Sequence, residues 1–490
     1  MSESGTFQNS LDFSIQSVKI WPAGKPTGKG SIDMTGTVVA FSYVESITSP
    51  FVAGNLVVLD SGGLLGGLPI QGTENIWIRI KTSSEEKPIT YKMKIWSLNG
   101  RYAKGQKQIY SLGLISTEAI VNETVRVTKP LQGHSDSIIK ELMENFLKTE
   151  KNVYAETSQF QMRLLPARRR IFDIITEVCL KSVAKVNYEK TTSSKTDKDK
   201  TEEAGVTESI KGSAGFFFWE NRRGFNFFAV DSLFAEEGSK FQSDSYTIRG
   251  KSEGQDAWGP YIERDANTDD VPEVDERSNI LEASFGSQLN VMESLRLGKY
   301  GTLIAFFNHS TGLYEEYIYN ASDNYGNMSH LGGQESIELL TDDRNDLTER
   351  PSRIMSVYID HETWYNGGWP ANPEDKSAKS PTPFADWQKY YTTQALTRYE
   401  FLRNQYATIQ IPGNSRICAG DTVDIRLQNK LPNAITKEEK WDRESSGIYL
   451  VEEVTHEYAR LENANGRFIT TLRLMRDSYG MKGRISSHGK

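Results

Sequence analysis

From residue 11 to about residue 117, apolar and polar positions alternate with period two. The runs "LDFSIQSVKI", "IDMTGTVVAFSYVESI", "GNLVVLD", "ENIWIRI", "YKMKIWSLNG" and "IYSLGLIST" each place one apolar face opposite a polar one. Gly, Pro, Asn and Ser clusters separate them at the spacing of an antiparallel barrel or sandwich. Residues 1–127 are therefore expected to form one closed or strongly curved antiparallel β domain.

The period then changes. In "SDSIIKELMENFLKTE" the residues Ile138, Ile139, Leu142, Met143, Phe146 and Leu147 form one helical stripe, with Ser135 or Asp136 as the expected cap. After Pro166, Ile171, Ile174, Ile175, Val178 and Cys179 form a second stripe. The stretch "GSAGFFFWENRRGFNFFAVDSLF" follows, with two aromatic arms around a polar break at Glu220, Asn221, Arg222 and Arg223 and then Gly224. It reads as a β-hairpin. On its second arm Phe225, Phe227 and Ala229 face one way, and Asn226, Phe228 and Val230 the other. On the first arm Phe216 to Trp219 is apolar on both faces, so the hairpin needs a layer on each side. The two helices can supply one of them. Between helices and hairpin, "KTTSSKTDKDKTEEAGVTES" has too little apolar surface to offset its ordering entropy, and Lys190–Ser209 is expected to be a mobile surface loop.

Strands are expected again across "NILEASFGSQLNVMESLRLGKYGTLIAFFNHSTGLYEEYIYNAS". Residues 335–383 read as irregular, and "FADWQKYYTTQALTRYEFLRNQ" as one long helix with Trp387, Tyr391, Ala395, Tyr399 and Leu402 on a common face. A last β segment closes the chain through "YATIQIPGNSRICAGDTVDIRL", "SGIYLVEEVTHEY" and "RFITTLRLMRDS". It echoes the first domain: "AGNLVVLD" against "AGDTVDIRL", "YKMKIWSL" against "IYLVEEVTHEY", and "IYSLGLIS" against "FITTLRLMRD" occur in the same order, which suggests an internal duplication. The resulting division is a first β domain at 1–127 and an α+β domain at 128–275, with the charged loop at 190–211 and the hairpin at 215–231. A second β domain follows, in two parts at 276–334 and 405–478, interrupted by an irregular insert and helix at 335–404. A flexible tail at 479–490 ends the chain.

Composition narrows the function classes. A chain of 490 residues exceeds one ordinary core. Its net charge of −8 argues against coating a nucleic-acid duplex, which needs a basic face. Only two cysteines are present, Cys179 in a helical pattern and Cys418 in a strand pattern, so no disulfide framework is expected. The N-terminus lacks the basic and apolar regions of a signal peptide, and no apolar stretch is long enough to span a bilayer as a helix.

No motif carries catalysis. "HETWY" at His361 lacks the second histidine of a zinc helix, and "GKPTGKGS" from Gly24 lacks phosphate-loop spacing and reads as a turn. Asp265, Asn267, Asp269 and Glu276 fall at positions 1, 3, 5 and 12 of a calcium loop. Asp270 stands where the loop needs Gly, and Pro272 lies inside it, so a solvated acidic connector is the expectation. His456 in "VEEVTHEY" is placed with Glu452, Val454 and Tyr458 on one strand face and reads as a hydrogen-bonded strand histidine, with no nucleophile or metal set nearby. No catalytic, cofactor-binding or metal-binding residues are assigned, and no cofactor is expected.

The C-terminal run, a long helix leading into "YATIQIPGNSRICAGDTVDIRL", "SGIYLVEEVTHEY" and "RFITTLRLMRDSYG", resembles the closing module of baseplate hub proteins of contractile-tailed bacteriophages and, more distantly, of type VI secretion spike proteins. "VESITSPFVAGNLVVLDSGGLLGGLPIQGTENIWIRI" is similar to that family's opening strands, and "GFFFWENRRGFNFFAVDSL" to a recurrent element of it. The resemblance implies an α+β, mainly β fold with two tail-tube-like antiparallel β-barrel or sandwich domains and an inserted helical and hairpin domain. It implies a structural, non-enzymatic virion protein of the tail baseplate, assembled in the host bacterial cytoplasm. As implied, a homotrimer forms a pseudo-hexameric ring that joins a hexameric tail tube or tube-initiator protein to a trimeric central spike, with baseplate wedge and tape-measure proteins as further partners. DNA is then only passing cargo, through a lumen expected to be acidic or neutral, and there is no membrane insertion. The hairpin would help to wedge the tube-like domains apart. Two alternatives stand beside this reading: a tail-associated carbohydrate-active or cell-wall-degrading enzyme, suited by "WYNGGWP" and by carboxylate pairs that meet only in the fold, and a spike-type component of a contractile injection or type VI secretion system.

Overall fold

The structure, a computed structural model, describes residues 11–184, 214–234, 257–263, 276–334, 350–358, 390–429, 441–460 and 466–481, apart from positions 26, 29, 68, 69, 106, 160, 288, 289, 309–312, 326 and 327. The charged segment Lys190–Ser209, the acidic stretch 265–275, His361 and Trp387 lie outside the described residues. The fold is α+β and mainly β, as the alternation predicts.

Seven strands make the first β unit: β1 (Phe13–Trp21), β2 (Ile32–Asp33), β3 (Val38–Ser46), β4 (Ala53–Asp60), β5 (Asn75–Thr82), β6 (Ile89–Lys104) and β7 (Lys107–Ile115). Their order in the sheet is β2-β1-β5-β6-β7-β4-β3. The alternating apolar faces, among them Val18, Ile20, Leu56, Ile76, Ile78, Ile95 and Leu112, meet in one buried core, because the sheet curls over itself. Among the described residues it does not close into a barrel.

A helical layer follows. After the helical turn α1 (Leu64–Gly67) within the first unit comes α2 (Thr117–Thr124), a stretch read as the end of the strand region. Strand β8 (Leu131–His134) leads into α3 (Ser135–Glu141), which widens into π-helical turns at Leu142–Leu147 and stops where Lys148 adopts a left-handed conformation with φ 55°. His134 takes the cap position, and Ser135, expected to cap, instead shares a 2.6 Å hydrogen bond with Ser182. Strands β9 (Val153–Ala155) and β10 (Gln161–Leu164) precede α4 (Ile171–Lys181), whose Phe172 N–H is accepted by Asn122 of α2 at 2.9 Å. The stripes expected on α3 and α4 form one core with the hairpin strands β11 (Phe216–Asn221) and β12 (Gly224–Ala229), which continue into α5 (Val230–Phe234).

The second β unit is assembled from distant segments: β13 (Trp258–Glu263), β14 (Asn279–Ile280), β15 (Glu282–Ser287) and, far along the chain, β20 (Gln405–Pro412), β21 (Thr422–Arg426), β22 (Gly447–Ala459) and β23 (Arg467–Arg476). Between them lie α6 (Val291–Leu297), β16 (Gly301–Asn308), β17 (Leu313–Asn320), α7 (Ala321–Tyr325), β18 (Gly332–Gln334), β19 (Arg353–Tyr358) and α8 (Ala395–Phe401), and after them β24 (Tyr479–Met481). Several expectations are corrected here. Residues 291–297, read among strands, form a helix because the Asn290 side chain accepts the Glu293 N–H at 3.1 Å and Gly298 terminates it with φ +78°. Strands β16 and β17 do not join the second unit's sheet but pair with each other, and β16 pairs with β19, itself inside the region read as irregular. Tyr479–Met481, read as the start of a flexible tail, pairs with β18. Cys418, read in a strand, is buried in the loop between β20 and β21.

The strand order of the second unit is β14-β13-β21-β22-β23-β20-β15. This is the order of the first unit, strand for strand. The registers agree as well. Leu114 lies between Ile95 and Gly54, and Leu474 lies between Val451 and Ala407. In both units the strand before it, β6 or β22, skips one residue at the same place, between Ile95 and Ser97 and between Val451 and Glu453. The polarity differs at one strand only: β1 is antiparallel to β5, whereas β13 is parallel to β21. Two of the three sequence echoes were therefore true counterparts, β6 with β22 and β7 with β23. The third pair was offset, since β4 corresponds to β20 and β21 to β5.

The units join edge to edge. The second half of β22 pairs with β3, from Glu453 opposite Ser46 to Ala459 opposite Ala40, so both units share one continuous sheet.

Candidate functional site

Charged groups are buried together at the tip of the aromatic hairpin, where Glu45, Glu220 and Asp421 are each about 1% exposed or less. The strand registers run from Phe216 opposite Ala229 to Asn221 opposite Gly224, so Glu220 and Asn221 belong to the strand and the turn is only Arg222 and Arg223. Gly224 has φ +140°, and a Cβ there would stand 2.5 Å from the Asn152 carbonyl oxygen, which leaves no residue but glycine. One face, with Phe216, Phe218, Phe225, Phe227 and Ala229, packs on α3 and α4. The other, with Phe217, Trp219, Phe228 and Val230, packs on Leu402 at the end of the helix Ala395–Phe401 and on Ala419, Leu450 and Met475 of the second β unit. The alternation expected for β12 is the one observed. The hairpin's second layer comes from its own chain, and the hairpin ties the β units together where it was expected to wedge them apart.

The tip carries these ties. The Arg222 N–H donates to Glu45 Oε1 at 2.6 Å, and the Arg222 guanidinium to Glu85 at 3.0 Å, both in the first unit. Arg223 grips Asp421 of the second unit with both terminal nitrogens, at 2.7 and 2.8 Å, and donates to the Arg416 carbonyl at 3.0 Å. Trp219 Nε1 donates to the Ala419 carbonyl at 2.9 Å. Gly420, with φ +91°, leaves the room that the Trp219 ring fills. Glu220 Oε2 accepts the Val52 N–H at 3.1 Å, and Lys151 bridges Glu220 and Glu118. Burial alone would lower the Lys151 pKa, but the two carboxylates beside it outweigh that and hold it above its ordinary value. Burial pushes Glu45 up, opposed by the N–H groups of Ala419 and Arg222. A cleft of about 280 Å³ opens beside the tip, lined by Tyr43, Tyr91, Lys92, Lys151, Glu220 and Arg222.

Each carboxylate at this joint accepts hydrogen bonds from the chain itself, from Arg222 and Ala419 at Glu45, from Val52 and Lys151 at Glu220, from Arg223 at Asp421. That arrangement fixes the joint. Among the described residues no group of three or more His, Cys, Asp or Glu side chains is placed to hold a metal ion. Among them, too, no helix is long and apolar enough to cross a membrane.

His456 lies where the strand pattern puts it, buried beside Val454 and Tyr458, with its ring stacked on Tyr43 and Nδ1 3.1 Å from Thr470 Oγ1. Glu452, expected on the same face, is displaced by the bulge at that residue. Burial, with Arg222 adding to it, lowers the His456 pKa to about 3. A second buried ionic cluster surrounds Arg398 of α8, which donates to Asp477 and Asp231 at 2.8 Å each, while His330 Nδ1 lies 2.7 Å from Asp477. Sequence reading missed both Glu45 and Arg398. A signal existed for each: Glu45 follows Phe41 and Tyr43 at period two on an inward face, and Arg398 follows Ala395 and precedes Leu402 on an apolar helical stripe.

No family model matches the chain, and no curated protein matches it. Among solved structures its backbone is similar to that of the tail protein from Neisseria meningitidis MC58, at TM-score 0.48 and 10% identity over 95% of this chain and 97% of that one. It is also similar to the 43 kDa tail protein of prophage MuSo2 from Shewanella oneidensis, at TM-score 0.45 and 8% identity over 94% and 99%. The E. coli c3393 protein, described as a type VI secretion component with structural similarity to the T4 tail proteins gp27 and gp5, is similar at TM-score 0.40 and 9% identity over 96% and 79%.

Proposed function

We propose that this chain is a structural baseplate hub of a contractile tail. Three copies form a ring of six β units that joins a hexameric tail tube, or its initiator, to a trimeric central spike, and the genome passes through the lumen after the spike is released. The observation that supports this reading is the repeated strand order and register of the two β units. A threefold ring offers six like edges to a sixfold tube most simply if each chain carries the same unit twice. The hairpin joint fits such a role: it locks the two units in one orientation through bonds between parts of the chain far apart in sequence. The protein is then a virion component without enzyme activity, and wedge and tape-measure proteins are its further neighbours in the baseplate.

Electron microscopy of the full chain, alone and mixed with candidate spike and tube proteins, tests this. The expected particle has a threefold axis and six lobes alternating around it. A complex with those partners that lacks a threefold axis would overturn the hub. Turnover of peptidoglycan or host polysaccharide that is abolished by one carboxylate substitution would overturn the non-enzymatic role.

A further inference from the structure

The joint between the two units of one chain predicts the joint between chains. Within the chain, β22 is longer than its neighbour β21 and uses the overhang, Glu453–Ala459, to pair with β3 of the first unit. Its counterpart β6 has the same construction. Residues 89–94 pair with β5, and the strand then runs on to Lys104 with β7 on one side. On its other side Ile95 exchanges backbone hydrogen bonds with Thr73 and Glu74, and beyond Ile95, among the described residues, no strand pairs with it. The counterpart of β3 in the second unit is β15, which pairs with β20 on one edge and, among the described residues, with no strand on the other. One chain thus makes this joint once and holds both halves of a second joint open.

The side chains repeat the argument. Leu98 occupies the place of Val454, each opposite the matching leucine, Leu112 or Leu472. Val454 is fully buried under β3, whereas Leu98 is 39% exposed. Phe285 of β15 occupies the place of Tyr43, opposite Ala407 where Tyr43 is opposite Gly54. Tyr43 is 4% exposed in the internal joint and Phe285 39% in the open one. Trp96 and Tyr102, at 60% and 63%, add to the apolar surface along the free overhang. An exposed strand edge that also carries large apolar side chains is a template for another strand.

We infer that the overhang of β6 in one copy pairs antiparallel with β15 of the next copy, in the register of the internal joint. Since Val454 faces Glu45, Thr455 faces Val44 and His456 faces Tyr43, the transferred register sets Leu98 opposite Ser287, Asn99 opposite Gly286 and Gly100 opposite Phe285 of the neighbouring copy. The two edges are different surfaces, so the contact is head-to-tail and generates a ring, not a two-fold dimer. This inference rests on the hub reading for the number of copies and adds to it the residues that close the ring.

The test is a double variant of the full chain, Leu98→Cys with Ser287→Cys. Residues directly opposite in an antiparallel pair lie about 4.5–5.5 Å apart, within disulfide range. The native Cys179 and Cys418 are buried and do not compete. Mild oxidation of the assembled double variant is expected to give a covalently closed ring of three, while a mixture of the two single variants stops at covalent dimers. As a measurement that needs no substitution, amide exchange across 97–104 and 282–287 should slow about tenfold or more on assembly. A threefold particle that neither cross-links nor protects these amides overturns the edge pairing and leaves the hub reading standing. A chain that stays monomeric with its spike and tube candidates overturns both.

Discussion

The backbone N–H of Arg222 donates to Glu45 Oε1 at 2.6 Å, across 177 residues of chain, and the second oxygen of the same carboxylate accepts the Ala419 N–H at 3.1 Å. One side chain of the first β unit thereby holds both the hairpin turn and a loop of the second unit. The site works as a joint because the carboxylate is buried and its two oxygens accept from two different parts of the chain.

Glu45→Ala leaves two N–H groups at this joint without their acceptor, at a cost of about 1–3 kcal/mol for each buried group. Glu45→Gln keeps one acceptor but turns its amide N–H₂ toward the other donor, so it should recover little. Urea denaturation of both variants checks this. A loss below about 0.5 kcal/mol for Glu45→Ala would mean that the joint is held by the arginine pairs alone.

Glu156 accepts the Ala229 N–H at 2.9 Å and the Ser232 hydroxyl at 2.8 Å, which fastens the end of the hairpin to the loop after β9. Burial raises its pKa from 4.5 to about 7, against these hydrogen bonds. Below pH 4.5 it is protonated in both folded and unfolded chains. As pH rises from 4.5 through 7 the unfolded chain ionises first, so stability falls, by about 3 kcal/mol in all. Glu156→Gln, which can still accept from Ala229 and donate to the Ser232 oxygen, loses this slope, so its stability should gain on the parent's as pH rises through that window and exceed it at pH 8. Denaturation midpoints at pH 5, 6.5 and 8 decide it.

Much of this fold is legible in the sequence because burial on one face of a strand or helix leaves a period. The strands β1 to β7, the stripes of α3 and α4, and the two faces of β12 all follow from it. What the period cannot carry is partner choice. The runs at 301–308 and 313–320 alternate like those of the β units, yet they pair with each other, and the first of them also with Arg353–Tyr358. The duplication was visible in β6 and β7, where a long strand and its hairpin partner keep their spacing. It was misaligned at β4, because "AGN" opens strand β4 itself whereas "AGD" lies in the loop before β21, so the shared letters do not mark a shared position. The hairpin joint was hidden for another reason: its bonds connect residues up to 374 positions apart, as Ala419 to Glu45, and no local pattern encodes that pairing.

Arg398 is fully buried between Asp231 and Asp477, with the second of these also bound by His330 and by the Leu331 N–H at 3.1 Å. Arg398→Met fits the volume but strands the buried Asp477 and the partly buried Asp231, at a cost of about 3–5 kcal/mol. Changing Arg398, Asp231 and Asp477 together to apolar residues of similar size should return part of that loss. Stability of the single and triple variants by thermal unfolding distinguishes a missing cation from a missing shape: equal losses in both would assign the effect to packing.

His456 carries the opposite pH signature from Glu156. Its pKa is lowered from 6.5 to about 3, first by burial and then by Arg222, so the native protein keeps it neutral while the unfolded chain takes up a proton. The stability it supports is fully present above pH 6.5 and is lost as pH falls toward 3, at up to about 1.4 kcal/mol per pH unit. At pH 8 His456→Gln should cost only about 1–2 kcal/mol, as for one hydrogen bond lost to Thr470. Below pH 6.5 the parent loses this contribution of His456 and the glutamine variant has none to lose, so the two should cross at about pH 5. Between pH 4.5 and 6.5 Glu156 and His456 act in opposite directions, and the parent's own stability curve there is nearly flat. The single variants separate the two slopes. A constant gap between parent and His456→Gln from pH 8 to pH 5 would show that the native state binds the proton after all, and that the ring stacked on Tyr43 is open to water.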